Sequence, residues 1–203
     1  MSDLHYNHRG ILKFDYPRRQ KWKNEEEMNK DFIESLIKET NKDDIIFDLG
    51  DLFWKISEQD ANEVFKKMKF NKFFKVLGNH DQFGIWKCPT KIQRKVNIIS
   101  DLLDIQVIYG GVKYFLTLCH YPLISWNYKA QGSFMIHGHC HGNIDEVNEL
   151  SPDLRVDVGY DAFLAKQLNK TLITFEDILK YFTNKAGTTD FKNWTLTNCK
   201  NTL

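Results

Sequence analysis

Four apolar runs in this chain end in the same way. Ile45-Ile46-Phe47 leads to Gly50-Asp51, and Phe73 to Leu77 leads to Gly78-Asn79-His80-Asp81. Tyr114 to Cys119 leads to His120, and Phe134-Met135-Ile136 leads to His137-Gly138-His139-Cys140-His141-Gly142. Short apolar runs closed by glycine and polar residues are strand signals. Layered α/β domains place their ligand site just beyond strand ends. The pattern therefore predicts such a domain, with Asp, Asn and His brought to one place.

The last of these stretches is the richest in candidate ligands. Three imidazoles alternate with small residues between His137 and Gly142. On an extended segment, positions i and i+2 point the same way, so His139 and His141 are expected to project together into one site. The glycines beside them permit a sharp turn and close approach. Neutral imidazole is the commonest metal-binding side chain. A metal site is the first expectation, and Asp3-Leu4-His5 supplies another acid and imidazole in alternation.

With 203 residues, 42% hydrophobic and 27% charged, the chain has the make-up of one globular domain. The expected division is a domain over residues 1–184 and a polar tail over 185–203. A net charge of +1 argues against a strongly basic nucleic-acid-binding surface. No apolar run reaches the length of a membrane span and no signal-peptide core opens the chain, so a cytoplasmic location and no membrane partner are expected. The four cysteines form no CxxC pair and read as reduced thiols. A Cys/His zinc site through Cys119 or Cys140 fits no finger or ribbon spacing.

Residues 25–40 carry Met28, Phe32, Ile33, Leu36 and Ile37 at helical spacing, behind Glu25, Glu26 and Glu27. Strands are predicted over 44–49, 72–77, 106–109, 113–119, 133–136 and 154–158. Gly110-Gly111 marks a two-residue hairpin. Helices are predicted from Ser57 to about Lys69, through Val96 to Leu103, and from Phe175 to Phe182 behind a Thr174/Asp177 cap. Residues 88–95 give no clear signal. Helices and strands alternate first and strands dominate later, which predicts an α/β sandwich with two sheets.

Together, Asp3-Leu4-His5, Gly50-Asp51, Gly78-Asn79-His80-Asp81, His120 and Gly138-His139-Cys140-His141 resemble the five ordered motifs of the calcineurin-like metallophosphoesterases. Each motif alone is weak; the ordered set, over residues 3 to 141, is specific. The resemblance implies an α/β (α+β) fold, a two-sheet β-sandwich flanked by helices in four layers. It also implies a dinuclear metal centre that hydrolyses phosphate esters by attack of a metal-bridging hydroxide. Carried over, Asp3, His5, Asp51 and His141 would hold the first ion, and Asp51, Asn79, His120 and His139 the second. His80 would assist the leaving group, with Asp81 orienting its ring. This donor set is harder than thiolate and suits two divalent ions, Mn²⁺ first, with Fe, Ni²⁺ or Zn²⁺ as alternatives.

His8 is a candidate at the substrate mouth, and Arg9 the best candidate for an anion contact. Arg9 opens a basic segment through Arg18, Arg19 and Lys23, expected to be a solvated face or to steer an anionic substrate. His137 is expected to pack in the core or support a ligand. Trp126 reads as core or rim packing, with stacking on a substrate ring as the alternative, and Asp157 to Asp161 as a turn, with support of the ligand loops as the alternative. Asp3 stands two residues from the start of the sequence, where fraying is expected, which would weaken the first ion's site.

The leading expectation is a phosphoesterase on small or nucleotide-like substrates, a phosphodiesterase first, with the choice between diester and monoester left open. A nuclease acting on DNA or RNA is the alternative, disfavoured by the charge. A catalytically weak binding scaffold is a third reading, disfavoured because His80 and every expected ligand are present. The sequence leaves the oligomeric state open.

Overall fold

A computed structural model describes residues 1–70, 72–81, 85–87, 96–99 and 101–185. Among these residues seven strands form two sheets. In the first, β1 (Ile45–Asp48), β2 (Lys72–Val76) and β3 (Val96–Ile99) run parallel in that order. The second has the order β4 (Leu102–Tyr109), β5 (Val112–Cys119), β6 (Phe134–His137), β7 (Arg155–Asp157). Its first pair is antiparallel and the other two are parallel. Gly110 and Gly111 make the hairpin at φ 57° and 80°, a left-handed pair that glycine adopts without Cβ strain.

Two helices cover one face of the first sheet. Helix α1 (Glu25–Glu39) is capped by Asn24, whose side chain accepts from Glu27 N, and buries Met28, Phe32, Ile33 and Leu36. Helix α2 (Glu58–Lys67) is capped by Ser57 and buries Ala61, Val64 and Phe65. These side chains share a core with Ile46 and Phe73 of the sheet. A second core gathers Val76 of β2 with Leu116, Leu118, Phe134, Ile136 and Val156 of the other sheet. Leu164 of α4 (Phe163–Leu168) and Ile178 and Phe182 of α5 (Phe175–Asn184) join it. Met135, on the opposite face of β6, packs with Cys119 and Trp126. Strand β6 is thus buried on both faces, as its unbroken apolar run requires. This is the two-sheet sandwich flanked by helices.

Helix α5 begins with the expected capping box, Thr174 accepting from Asp177 N while Asp177 accepts from Thr174 N. The helix expected through Val96 to Leu103 is instead β3 and the start of β4. β-Branched Val96 and Ile98 favour the pleated surface, and the segment pairs with β2 from Phe73↔Val96 to Val76↔Ile99. Two six-residue helices, α3 (Asp145–Leu150) and α4, have no side-chain cap, and their sequences gave no start signal. Lys185, at the start of the segment expected to be a tail, is buried and its Nζ donates to Asp153 O at 2.5 Å. The rest of that tail, and the unassigned residues 88–95, lie outside the described residues.

The opening segment does not fray. Residues 1–5 are buried. The Met1 amine donates to Phe47 O, Asp3 N to Gly50 O, and His5 N to Asp51 O, at 2.9–3.0 Å. On the other side, Tyr160 N donates to Ser2 O at 3.0 Å, and Ser2 bridges Gly159 in parallel. The segment therefore lies between the end of β1 and the chain leaving β7, joining the two sheets. Among the described residues no helix is long and apolar enough to cross a membrane.

Candidate metal centre

The chain turns sharply in the opening segment and after β1 and β6, and candidate ligands sit in those turns. Asp3, His5, Asp51, His139 and His141 all have left-handed backbones, with φ of 58°, 53°, 58°, 70° and 49°. Asp and His tolerate that region better than most residues, but five at one place mark a functional constraint. The histidine stretch is therefore a turn, and the expectation of an extended segment fails there. His139 and His141 do reach one site, but on its two different sides.

On one side, His141 Nε2 is 3.8 Å from Asp3 Oδ1, and the His5 and His141 rings stack with centroids 5.1 Å apart. On the other, Asn79 Oδ1 lies 3.0 Å from both His120 Nε2 and His139 Nδ1, which are 3.2 Å from each other. Asp51 Oδ2 lies between, 3.9 Å from His5 Nε2 and 3.5 Å from His120 Nε2. Donors bonded at about 2.1 Å and right angles to one ion sit on the order of 3 Å apart. Asp3, His5 and His141, and likewise Asp3, Asp51 and His120, place ligand atoms within 4.8 Å of one another.

The hydrogen bonds fix which nitrogens are free. His120 Nδ1 is 2.8 Å from Leu49 O, which only accepts, so Nδ1 carries the proton and Nε2 keeps its lone pair. His141 Nδ1 is likewise 2.8 Å from Asp161 Oδ2. Asp3 Oδ1 and His5 Nε2 are buried with no hydrogen-bond partner. Burial, then the Arg19 guanidinium and neighbouring imidazoles, holds His5 well below the usual histidine value. Burial, then Asp81 and Asp3, pushes the Asp51 carboxyl up to about 8. Lone pairs without partners and carboxylates crowded against each other lack positive charge, and divalent cations fit them.

Glycine makes this crowding possible. A Cβ at Gly78 would overlap Asp51 Oδ1, and one at Gly138 would overlap Ser2 Oγ and Asp3 Oδ2.

The remaining candidates are distributed as follows. His80 is at the mouth, its Nε2 3.9 Å from Asp51 Oδ2 and its ring edge-on to Trp54. Asp81 points inward: its Oδ2 accepts from Asp51 N at 2.6 Å and Gly78 N at 2.9 Å and pairs with Lys75. These bonds hold the two candidate ligand loops together. His8 stacks on Trp54 at 4.0 Å and meets His5 Nδ1 at 3.2 Å, which places it at the rim. Arg9 is 82% exposed and pairs with Glu25 at 3.8 Å. His137 packs in the core, bonded to Gly138 O and Asn148. Trp126 is buried, its indole N–H donating to Ser133 O.

Three groups under the site were missed or undervalued. Arg19, read as part of a solvated basic face, is fully buried against Asp3 O, Leu4 O and Asp161. Asp157 and Asp161, read as a turn, accept from Gly142 N and His141 Nδ1 and so support the ligand loop. Lys75 is fully buried between Asp48 and Asp81, at 2.5 and 2.6 Å. A lone lysine inside a five-residue apolar run was the available signal for the last.

The calcineurin-like phosphoesterase family profile matches residues 1–195, and the chain belongs to that family. It is also 30% identical over 176 residues to an uncharacterized protein of Methanocaldococcus jannaschii, covering 85% of this chain and 86% of that one. A solved protein of unknown function from Aquifex aeolicus shares the fold, with a TM-score of 0.53 and 21% identity over 79% of this chain and 88% of that one. Members of the family bind divalent metals, and the His/Asp clusters described above could hold them.

Proposed function

We propose that this chain is a phosphodiesterase acting on small or nucleotide-like substrates, with two divalent ions. The observation that carries the reading is the meeting of seven donors from five segments around Asp3 Oδ1 and His5 Nε2, which are buried and unpartnered. Asp3, His5, Asp51 and His141 would hold one ion, and Asp51, Asn79, His120 and His139 the other. A shared carboxylate at Asp51 offsets part of the repulsion between two cations. When bound, such ions polarise phosphoryl oxygens and supply water acidified enough to attack in line. Mn²⁺ is the metal proposed, because the donors are oxygen and imidazole. The Cys140 thiol, pushed up to about 11 by burial and by Asp157 and Asp3, competes poorly as a ligand at neutral pH.

His80 would give its proton to the leaving oxygen. Burial holds it below the usual histidine value, partly offset by Asp81 and Asp3. An anionic phosphate alongside favours the protonated ring that the step requires. The leaving group would then extend past Trp54 and His8 toward solvent.

The test is a screen of cyclic and linear nucleotides and aryl phosphate esters, on protein stripped with EDTA and then resupplied with Mn²⁺. Turnover is expected on diesters and only with metal. His80→Ala should keep both ions and lose about 10²–10⁴-fold in turnover. Loss of metal together with activity in that variant would make His80 a ligand. No turnover on any ester would overturn the reading.

A further inference from the structure

We propose that Arg19 is a positioning residue for the half of the site built from Asp3, His5 and His141, and that it acts on His141 through Asp161. The inference rests on the metal-site reading above.

Nothing around Arg19 suggests a simple surface cation. Its side chain has no exposure, and its guanidinium lies 5.2 Å from the centroid of the Tyr160 ring and 5.9 Å from that of Phe32. Nη2 donates to Asp3 O at 2.6 Å and Nη1 to Leu4 O at 3.0 Å. Nε reaches Asp161 Oδ2 at 2.8 Å and Oδ1 at 3.1 Å, and Nη2 lies 2.8 Å from Oδ2. A charge this deeply buried is tolerated only when its donors are met. Here every strong acceptor belongs to the site: the carbonyls of Asp3 and Leu4 in the segment that carries the first ligand pair, and the carboxylate behind the last ligand.

The two carbonyls explain how the opening segment keeps its shape. Asp3 and His5 are left-handed, a conformation that must be held by its surroundings. Their N–H groups bond to Gly50 O and Asp51 O. Asp3 O and Leu4 O turn the other way, to Arg19. The guanidinium thus closes the turn from which both side chains project.

The carboxylate explains the aim of His141. Asp161 Oδ2 accepts from Arg19 on one side and from His141 Nδ1, at 2.8 Å, on the other. With the guanidinium bound in its fork, Asp161 has only acceptor lone pairs to offer. His141 must then carry its proton on Nδ1 and turn the Nε2 lone pair to Asp3 Oδ1 and the site. A lysine could replace the charge but not the three-way fork.

The experiment begins with metal-free, ¹⁵N-labelled protein. Wild-type His141 should show a protonated Nδ1 and a bare Nε2. In Asp161→Ala the acceptor that holds the proton on Nδ1 is gone, so the Nε2-protonated form, the commoner tautomer of a free neutral imidazole, should gain at its expense. Calorimetric titration with Mn²⁺ should then show one of two equivalents weakened by about 10–100-fold, the other unchanged. Arg19→Lys should weaken the same equivalent. A wild-type proton on Nε2 would overturn the inference, as would two full-affinity equivalents in Asp161→Ala. The wild-type spectrum decides the matter even if a variant fails to fold. Should the wild type hydrolyse no ester yet give these spectra and titrations, the proposed activity would fall and the role of Arg19 would stand.

Discussion

Asp51→Asn is expected to abolish turnover and, at the same time, to stabilise the metal-free protein. The carboxylate stands between the two halves of the site, so its loss should remove several kcal/mol of transition-state stabilisation, on the order of 10³-fold or more in rate. Stability should move the other way. The Asp51 carboxyl sits at about 8 in the fold against 3.8 ordinarily, chiefly through burial. Between those values the folded chain holds a proton that the unfolded chain has released. Stability of the metal-free wild type therefore falls as pH rises through that window. Asparagine removes the ionisation and can still accept from His80 N, as Asp51 Oδ1 does at 3.0 Å. The variant should gain on the order of a few kcal/mol at pH 8 relative to wild type, and little at pH 4. The lowered histidines slope the opposite way in both proteins and cancel in the comparison. Urea unfolding at both pH values, with EDTA present, measures the difference. Equal stability at pH 8 would mean that Asp51 is not a crowded, desolvated carboxylate.

Lys75→Met should produce the largest loss of stability, about 3–5 kcal/mol, because one partner of a buried ion network disappears. Lys75 faces Asp48 across the sheet in the β1–β2 register and reaches Asp81 as well, and all three side chains have no exposure. Without the ammonium, two carboxylates remain in the interior. Asp81 also carries the backbone of Asp51 and Gly78, so metal binding should weaken along with the fold. Adding Asp48→Asn to Lys75→Met should recover part of the loss by removing one stranded charge. A shift under about 1 kcal/mol in the single variant would show that water reaches this network.

Much of this was legible in the sequence because the ligands are tied to strand ends. Apolar runs announce strands, and Asp, Asn and His after them announce what the strands deliver. The helices with caps, α1, α2 and α5, were legible for the same local reason. Two kinds of feature were not. Val96 to Leu103 mixes Val, Ile and Leu with Asn97, Ser100 and Asp101 in no clear period, and it is the pairing of Val96 to Ile99 with β2 that decides for a strand there. Arg19, Lys75 and Asp161 owe their roles to partners 6 to 142 residues away. A charged side chain in a basic run looks the same whether it meets water or a buried carboxylate. Asp81 shows the converse: adjacency to His80 suggested a partner, while the fold turned its carboxylate inward.

The five left-handed residues at the centre bear on how such a protein responds to selection. Each non-glycine residue held there costs roughly 1–2 kcal/mol in backbone energy. Breeding this chain for heat resistance alone, with no demand for chemistry, should enrich glycine and asparagine at Asp3, His5, Asp51, His139 and His141. The hardiest descendants would then be the ones that had forgotten how to bind an ion.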